Sequence, residues 1–358
     1  MPLAAVQSLL PLARAQVTPN FTFTAAGDYG GITSGSNGQK VVNKIATVTT
    51  NFHIALGDLG YGAQNPSNWC SSFKNIYPGS GNGSLVLITG NHDTWNGGSV
   101  NYTDGSTGVA SDTLTSESTA PHGFLDTSSG YVDACGAPAG INWVGSKVSY
   151  GGTACQASLT LSLVLSSPSC YAREYYFDYP SSNPIMRFIF ISAGIGGSWI
   201  DYSSGLPHYN WLKARIDEAK NDGLWVAIIT HKNCISDGTD IPDCASTFDP
   251  FNLAVTEMGG VDLWLDGHDH TYQRSYQLSN VAGDCSKGSN NIVSCLVAHQ
   301  VGPYVRGQGT IVNIIGTGGD GNGGIQTGTQ TMFASLCGSS GPVSRGLQQR
   351  LWLLLFYG

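Results

Sequence analysis

Phe52-His53-Ile54-Ala55-Leu56-Gly57-Asp58-Leu59-Gly60-Tyr61 is the stretch on which the reading of this chain turns. Its opening run reads as a buried strand, and Gly57-Asp58 ends that strand with a carboxylate at its C-terminal tip, where open α/β sheets gather their sites. Alone, a Gly-Asp pair after a strand is an ordinary turn. Repetition changes its weight.

The same grammar of apolar run, small residue and ligand-type side chain recurs along the chain. Phe21 to Ala26 ends in Gly27-Asp28-Tyr29-Gly30, and Leu85 to Thr89 in Gly90-Asn91-His92-Asp93. Leu224 to Thr230 delivers His231, and Val261 to Leu265 leads into Asp266-Gly267-His268-Asp269-His270. Oxygen and imidazole donors converging from separate strand ends suit two cations that share one bridging carboxylate.

The intervening segments fit strand-helix-strand units. Val41, Val42, Ile45 and Val48 recur at helical spacing, as do Trp69, Phe73 and Ile76. Tyr175 to Asp178 and Ile185 to Ile191 read as neighbouring strands, and Trp211, Leu212, Arg215, Ile216 and Ala219 as an amphipathic helix that stops near Asn221-Asp222-Gly223. Phe251 to Met258 reads as helix; Tyr276 to Leu278, Ile292 to Val297 and Thr310 to Ile315 read as strands. Gly316 to Gly324 is taken as turn chemistry, and Leu351 to Tyr357 as a last buried strand. Thr94 to about Tyr171 is rich in Gly, Ser, Thr and Asp without a sustained period; short hairpins clamped by disulfides are expected there.

The ordered set resembles the metallophosphoesterases of the calcineurin-like superfamily and, within them, the purple acid phosphatases. Their blocks Asp-x-Gly, Gly-Asp-x-x-Tyr, Gly-Asn-His-Glu/Asp, Val-x-x-His and Gly-His-x-His all occur in order between Gly27 and His270. The resemblance implies a four-layer αββα sandwich of two mixed β-sheets. It implies one metal on Asp28, Asp58, Tyr61 and His270, with the phenolate favouring iron(III), and a second on Asp58, Asn91, His231 and His268, suited to divalent iron, zinc or manganese. It sets His92 beside the metals as the acid that protonates the leaving alcohol, with Asp93 orienting it, and gives Arg274 the task of fixing the His-x-His segment. The reaction implied is hydrolysis of small phosphomonoesters by a metal-activated hydroxide, with an acidic optimum. Lys232-Asn233-Cys234 departs from the family pattern, and Lys232 is read as a solvated loop lysine. His53, His122, His208 and His299 belong to no motif.

At 358 residues the chain is long enough for a large core, and ligands scattered from Asp28 to His270 require one catalytic domain over 16–358, with the 94–171 stretch as its insertion. A net charge of -8 without any basic run argues against nucleic-acid polymers and anionic membranes as partners. No apolar run approaches the ~20 residues that span a bilayer.

Met1 to Ala15 is apolar with a small-x-small end, and reads as a secretory signal peptide with a truncated start; a plain N-terminal extension is the alternative. Nine cysteines and sequons beginning at Asn20, Asn82 and Asn101 agree with a secreted, glycosylated, disulfide-bonded protein. Cys234 with Cys244 and Cys285 with Cys295 are near enough to close short loops, and Cys70, Cys135, Cys155 and Cys170 are open to several pairings. Two other functions stay open: a phosphodiesterase or nucleotidase on the same scaffold, and an idle extracellular structural protein that kept a phosphatase fold.

Overall fold

Alternation along buried strands builds the layers of the computed structural model, which describes residues 21–61, 63–77, 83–94, 130–150, 153–154, 170–195, 202–238, 249–257, 261–278, 296–298, 304–325, 333–337 and 354–356. Met1–Ala15, Asn20, Asn82, Asn101, His122 and His299 lie outside the described residues, as do Cys155, Cys244, Cys285 and Cys295.

The first half is a run of parallel units: β1 (Phe21–Ala26), α1 (Asn37–Ile45), β2 (Phe52–Ala55), α2 (Pro66–Ile76) and β3 (Ser84–Leu87). Both helices start as their sequences direct. The Ser36 side chain caps α1 by accepting from the Gln39 N–H, and the Asn65 side chain caps α2 by accepting from the Asn68 N–H, with Pro66 in the first turn. Next come α3 (Tyr131–Cys135), β4 (Val144–Gly145), β5 (Ser149–Tyr150) and β6 (Thr153–Ala154), then β7 (Tyr175–Tyr179), β8 (Met186–Phe190), α4 (Pro207–Asn221) and β9 (Trp225–Ile229). The chain closes with β10 (Leu263–Asp266), β11 (Tyr272–Leu278), β12 (Leu296–Ala298), β13 (Thr310–Ile315), β14 (Phe333–Cys337) and β15 (Leu354–Phe356). The segment read as helix before β10 is a π-helical turn, Leu253–Glu257.

Two mixed sheets result. The small one has the order β15-β1-β2-β3, with β15 antiparallel to β1, so the closing apolar run does hold a last strand, at Leu354–Phe356, and that strand lies at the sheet's edge. The large one has the order β12-β11-β13-β10-β9-β8-β7-β4; β14 also pairs with β11, at the 272–275 end, while β12 pairs at 277–278. Its centre, β8-β9-β10-β13, is parallel. These are the four αββα layers that the family resemblance implied.

Period two decides which layer each residue faces. Phe52 turns inward to Phe177 and Phe188, with ring centroids 5.6 and 5.3 Å away, while its neighbour His53 turns outward to Phe73 of α2 at 5.4 Å. On β8, Phe188 and Phe190 join the inter-sheet core, whereas Ile189 packs with Leu212 and Ile216 of α4. Strands buried on both faces need near-continuous apolar runs, which is why those runs were legible.

Within the described part of the 94–171 insertion, a Cys70–Cys135 disulfide ties α3 to α2 across 65 residues. Closing a loop of that size is worth about 4 kcal/mol in the chain-entropy model. Cys170 and Cys234 are also disulfide-bonded. Among the described residues no helix is long and apolar enough to cross a membrane.

Candidate metal centre

Parallel strands of both sheets point their C-terminal ends to one place. β1 leads to Asp28, β2 to Asp58 and Tyr61, β3 to Asn91, His92 and Asp93, β9 to His231, and β10 to His268 and His270. Sharp turns follow each strand. Asp28, Asp58, Tyr61 and His268 all have positive φ, at 63, 50, 49 and 65°. Non-glycine residues hold that conformation only where the surroundings over-determine it, and such residues cluster at functional sites.

Glycine is required where two of these turns touch. A Cβ on Gly90 would lie 2.2 Å from the backbone nitrogen and the Oδ1 of Asp58, and one on Gly57, at φ 83°, would lie 2.5 Å from the Gly90 nitrogen. The Gly-Asp and Gly-Asn motifs are therefore one packed unit.

The seven residues expected to bind metal are brought together. Tyr61 donates its hydroxyl to Asp28 Oδ1 at 2.7 Å and lies 2.8 Å from His270 Nε2, which is itself 3.5 Å from Asp28 Oδ1. The His268 N–H donates to Asp28 Oδ2 at 2.9 Å. Asp58, His231 and His268 offer donor atoms that all lie within 4.8 Å of one another. A carbonyl can only accept, so the 2.7 Å contact between His231 Nδ1 and the Leu56 oxygen puts the proton on Nδ1. That leaves His231 Nε2 facing Asn91 Oδ1 at 3.0 Å and Asp58 Oδ2 at 3.3 Å.

These residues fit a cation. Asp58 Oδ2 is buried and has no hydrogen-bond partner, an arrangement that carries a desolvation cost unless a positive charge completes it. Three acceptor atoms converging on one point invite a metal in a way that a packed polar core does not.

The charges agree. Burial alone would push the Asp58 carboxyl up, but the imidazoles of His231 and His92 outweigh it and hold the group well below the ordinary carboxylate range. Burial works against a charged His270, yet the hydrogen bond and charge of Asp28 raise the ring to about 9. Tyr61 is pushed up by burial and by the charges of Asp28 and Asp58. His268 is pushed well down, by burial and then by the charge of Lys232.

His92 stands at the rim. Its side chain is 28% exposed, its Nε2 is 3.8 Å from Asp58 Oδ2, its ring centroid is 4.3 Å from that of Tyr61, and its N–H donates to Asp58 Oδ1 at 2.8 Å. Asp93 does something other than orient that ring. Its carboxylate accepts from the backbone N–H groups of Asp58 and Gly90 at 2.8 Å and of Leu59 at 2.9 Å, so it braces the turn that carries the central aspartate.

One more expectation is corrected. Lys232 is fully buried, with its Nζ 3.0 Å from His268 Nε2, and is no solvated loop lysine. Gln273 also fixes the His-x-His turn: its Nε2 donates to Asp269 Oδ2 at 3.1 Å and to Thr271 Oγ1 at 2.8 Å. The glycine-rich turn after β13 is also more than a turn. Its Asp320 N–H donates to the Asp28 carbonyl at 2.9 Å, and its Gly323 N–H to the His270 carbonyl at 2.8 Å. Gly316-Thr317-Gly318-Gly319-Asp320 carried that signal only as a density of glycines.

Comparison with known proteins follows from this geometry. The structure of a purple acid phosphatase from yellow lupin (Lupinus luteus) seeds superposes with a TM-score of 0.50 at 16% identity, covering 88% of this chain and 47% of the lupin chain. The fold is that of the metallophosphoesterases. A dimetal phosphatase from Danio rerio aligns at a TM-score of 0.40 and 13% identity, over 85% of this chain and 89% of the fish chain. In sequence, two uncharacterised proteins of Mycobacterium tuberculosis are 30% identical over 90 residues, which is 25% of this chain and 17% of theirs. This chain therefore spans less than half of the lupin enzyme, and the matched stretch a small part of the mycobacterial proteins. No protein-family model matches the chain.

Proposed function

We propose that this protein is a secreted, dinuclear-metal acid phosphatase that hydrolyses small phosphomonoesters. The reading is carried by one observation: Asp58, with an unsatisfied buried oxygen, sits between an Asp28-Tyr61-His270 group and an Asn91-His231-His268 group. Asp28, Asp58, Tyr61 and His270 would hold iron(III), for which a phenol oxygen and carboxylates are well matched; Asp58, Asn91, His231 and His268 would hold a divalent iron, zinc or manganese. When bound, such a pair supplies Lewis-acid activation of the phosphoryl group and of the attacking water.

The chain's own residues do the rest. His92, partly exposed at the rim, is the residue placed to give the leaving alkoxide its proton, a contribution typically worth about 10²–10⁴ in rate. Asp93 keeps the Asp58 turn rigid through its backbone contacts. Leu56 holds His231 in the tautomer that leaves Nε2 free. The disulfide between Cys70 and Cys135 supports an oxidising compartment and hence secretion.

The test is elemental analysis and a visible spectrum of the purified protein, with p-nitrophenyl phosphate and its bis-ester as substrates. Two metals per chain, a broad visible band lost in Tyr61→Phe, and preference for the monoester are expected. A fully metallated protein without the band, or one that cleaves the diester preferentially, replaces this reading with a phosphodiesterase. Bound metal with no turnover of either ester favours a structural role.

A further inference from the structure

His231 and His268 occupy equivalent places in the centre, and their outer partners are opposite in character. His231 gives its Nδ1–H to the neutral carbonyl of Leu56, which leaves Nε2 open. His268 meets the Nζ of Lys232 at 3.0 Å through Nε2. Lys232 directly follows a ligand-position histidine and is 0% exposed, so its charge is held in the protein beside the centre.

A cation on His268 must contend with that ammonium whichever ring nitrogen it takes. If it binds Nε2, the ammonium has to give up the same lone pair and retreat within a buried pocket. If it binds Nδ1, the Nε2 atom carries a proton and points a donor at a charged donor. Metal-ligating histidines ordinarily donate their second N–H to a carbonyl or carboxylate, which adds to ligand basicity; an ammonium does the reverse. Two unit charges about 4 Å apart repel by roughly 1–4 kcal/mol across the range from bulk water to a partly shielded protein site. Asp28 gives the opposite flank of the centre the reverse bias, since its carboxylate lies 3.5 Å from His270 Nε2.

We infer that Lys232 is an internal competitor for the cation at the Asn91-His231-His268 position, so that the two metal positions fill unequally and this one fills last. The inference rests on the two-metal reading above and adds a ranking of its two positions. Lys232 is a positioning residue in this account, acting on the metal through His268.

The experiment is calorimetric titration of metal-stripped protein with zinc, comparing wild type with Lys232→Met, Lys232→Gln and Lys232→Arg. Wild type is expected to show one tight and one weak zinc. Met and Gln should tighten the weak one roughly tenfold or more, the Gln amide by also accepting from Nε2–H, while Arg leaves it weak. The tight zinc, which adds Tyr61 and His270 to the shared Asp58, reports that each variant is folded. Unchanged or weaker second-zinc affinity in both neutral variants overturns the inference and leaves the two-metal reading standing. Wild-type protein that takes up no zinc sinks both.

Discussion

The two sheets contribute different chemistry to the same point. The small sheet supplies oxygen: Asp28, Asp58 and Asn91 stand at the ends of β1, β2 and β3, with Tyr61 just beyond. The large sheet supplies nitrogen: His231 follows β9, and His268 and His270 follow β10. Oxygen donors arrive on short strained turns locked by backbone hydrogen bonds, among them those from the N–H groups of Asp58 and Leu59 to Asp93. Imidazoles arrive with their own partners, Leu56 and Lys232. The centre is thus a seam between sheets, and it exists only while the sheets stay packed.

Breaking the seam from its oxygen side should have the largest effect. Asp58 is the shared ligand of the proposed metal pair, so on that proposal Asp58→Asn is expected to remove both metals and bring hydrolysis of p-nitrophenyl phosphate below detection. His231→Gln touches one half, and should leave about one metal per chain. Metal content per chain measured side by side decides this; equal loss in both variants would mean that the halves do not fill separately.

Next in size is the packing that holds the seam closed. Phe188 of β8 lies with its ring centroid 5.2 Å from Phe23, 5.3 Å from Phe52 and 5.1 Å from Phe177, on both sides of the inter-sheet core. Phe188→Ala should cost about 3–5 kcal/mol in denaturant unfolding, from lost burial and the cavity left behind. Metal affinity should fall with it, because the two sheets no longer meet in one geometry. A stable variant with intact metal binding would show that the seam does not depend on this contact.

The sequence made this seam readable wherever a buried strand ends in a ligand-type residue. Apolar runs such as Leu224 to Thr230 can serve as little else in a globular chain, and a histidine or aspartate at their tips stands out. Charges that act on the backbone were not readable. Asp93 follows His92 in sequence, which suggested a partnership of side chains, yet its targets are the amides of Asp58, Leu59 and Gly90, exposed only once two turns have met. Lys232 misled for a related reason. Lysine is nearly always at the surface, and this one is buried at the start of a 231–238 segment that packs through Ser236 and Asp237 on Asp269 and Gln273. Gln273 and Asp320 went unnoticed because their partners are a neighbouring turn and a carbonyl, neither of which leaves a pattern in the chain.

The smallest effect comes from an imidazole on the oxygen sheet. His53 sits on β2 with Thr24 Oγ1 2.8 Å from its Nδ1 and the Tyr29 hydroxyl 2.5 Å from its Nε2, wholly buried under α2. Burial lowers it from 6.5 to about 3, so the folded chain keeps the ring neutral where the unfolded chain would protonate it. Between those values the unfolded state binds the extra proton, and stability must fall as the pH falls. The contribution is fully present above pH 6.5 and reaches a loss on the order of 4 kcal/mol toward pH 3. His53→Gln keeps a polar side chain for Thr24 and Tyr29 without a group that titrates there. It should be less stable than wild type at pH 7, by roughly 1–3 kcal/mol for imperfectly replaced hydrogen bonds, and should lose less on acidification. Denaturant curves at pH 7, 5.5 and 4 on metal-free protein measure both slopes. Parallel slopes would mean that the acid sensitivity resides in the imidazoles of the large sheet, and the contrast between the two sheets would then extend from metal binding to stability.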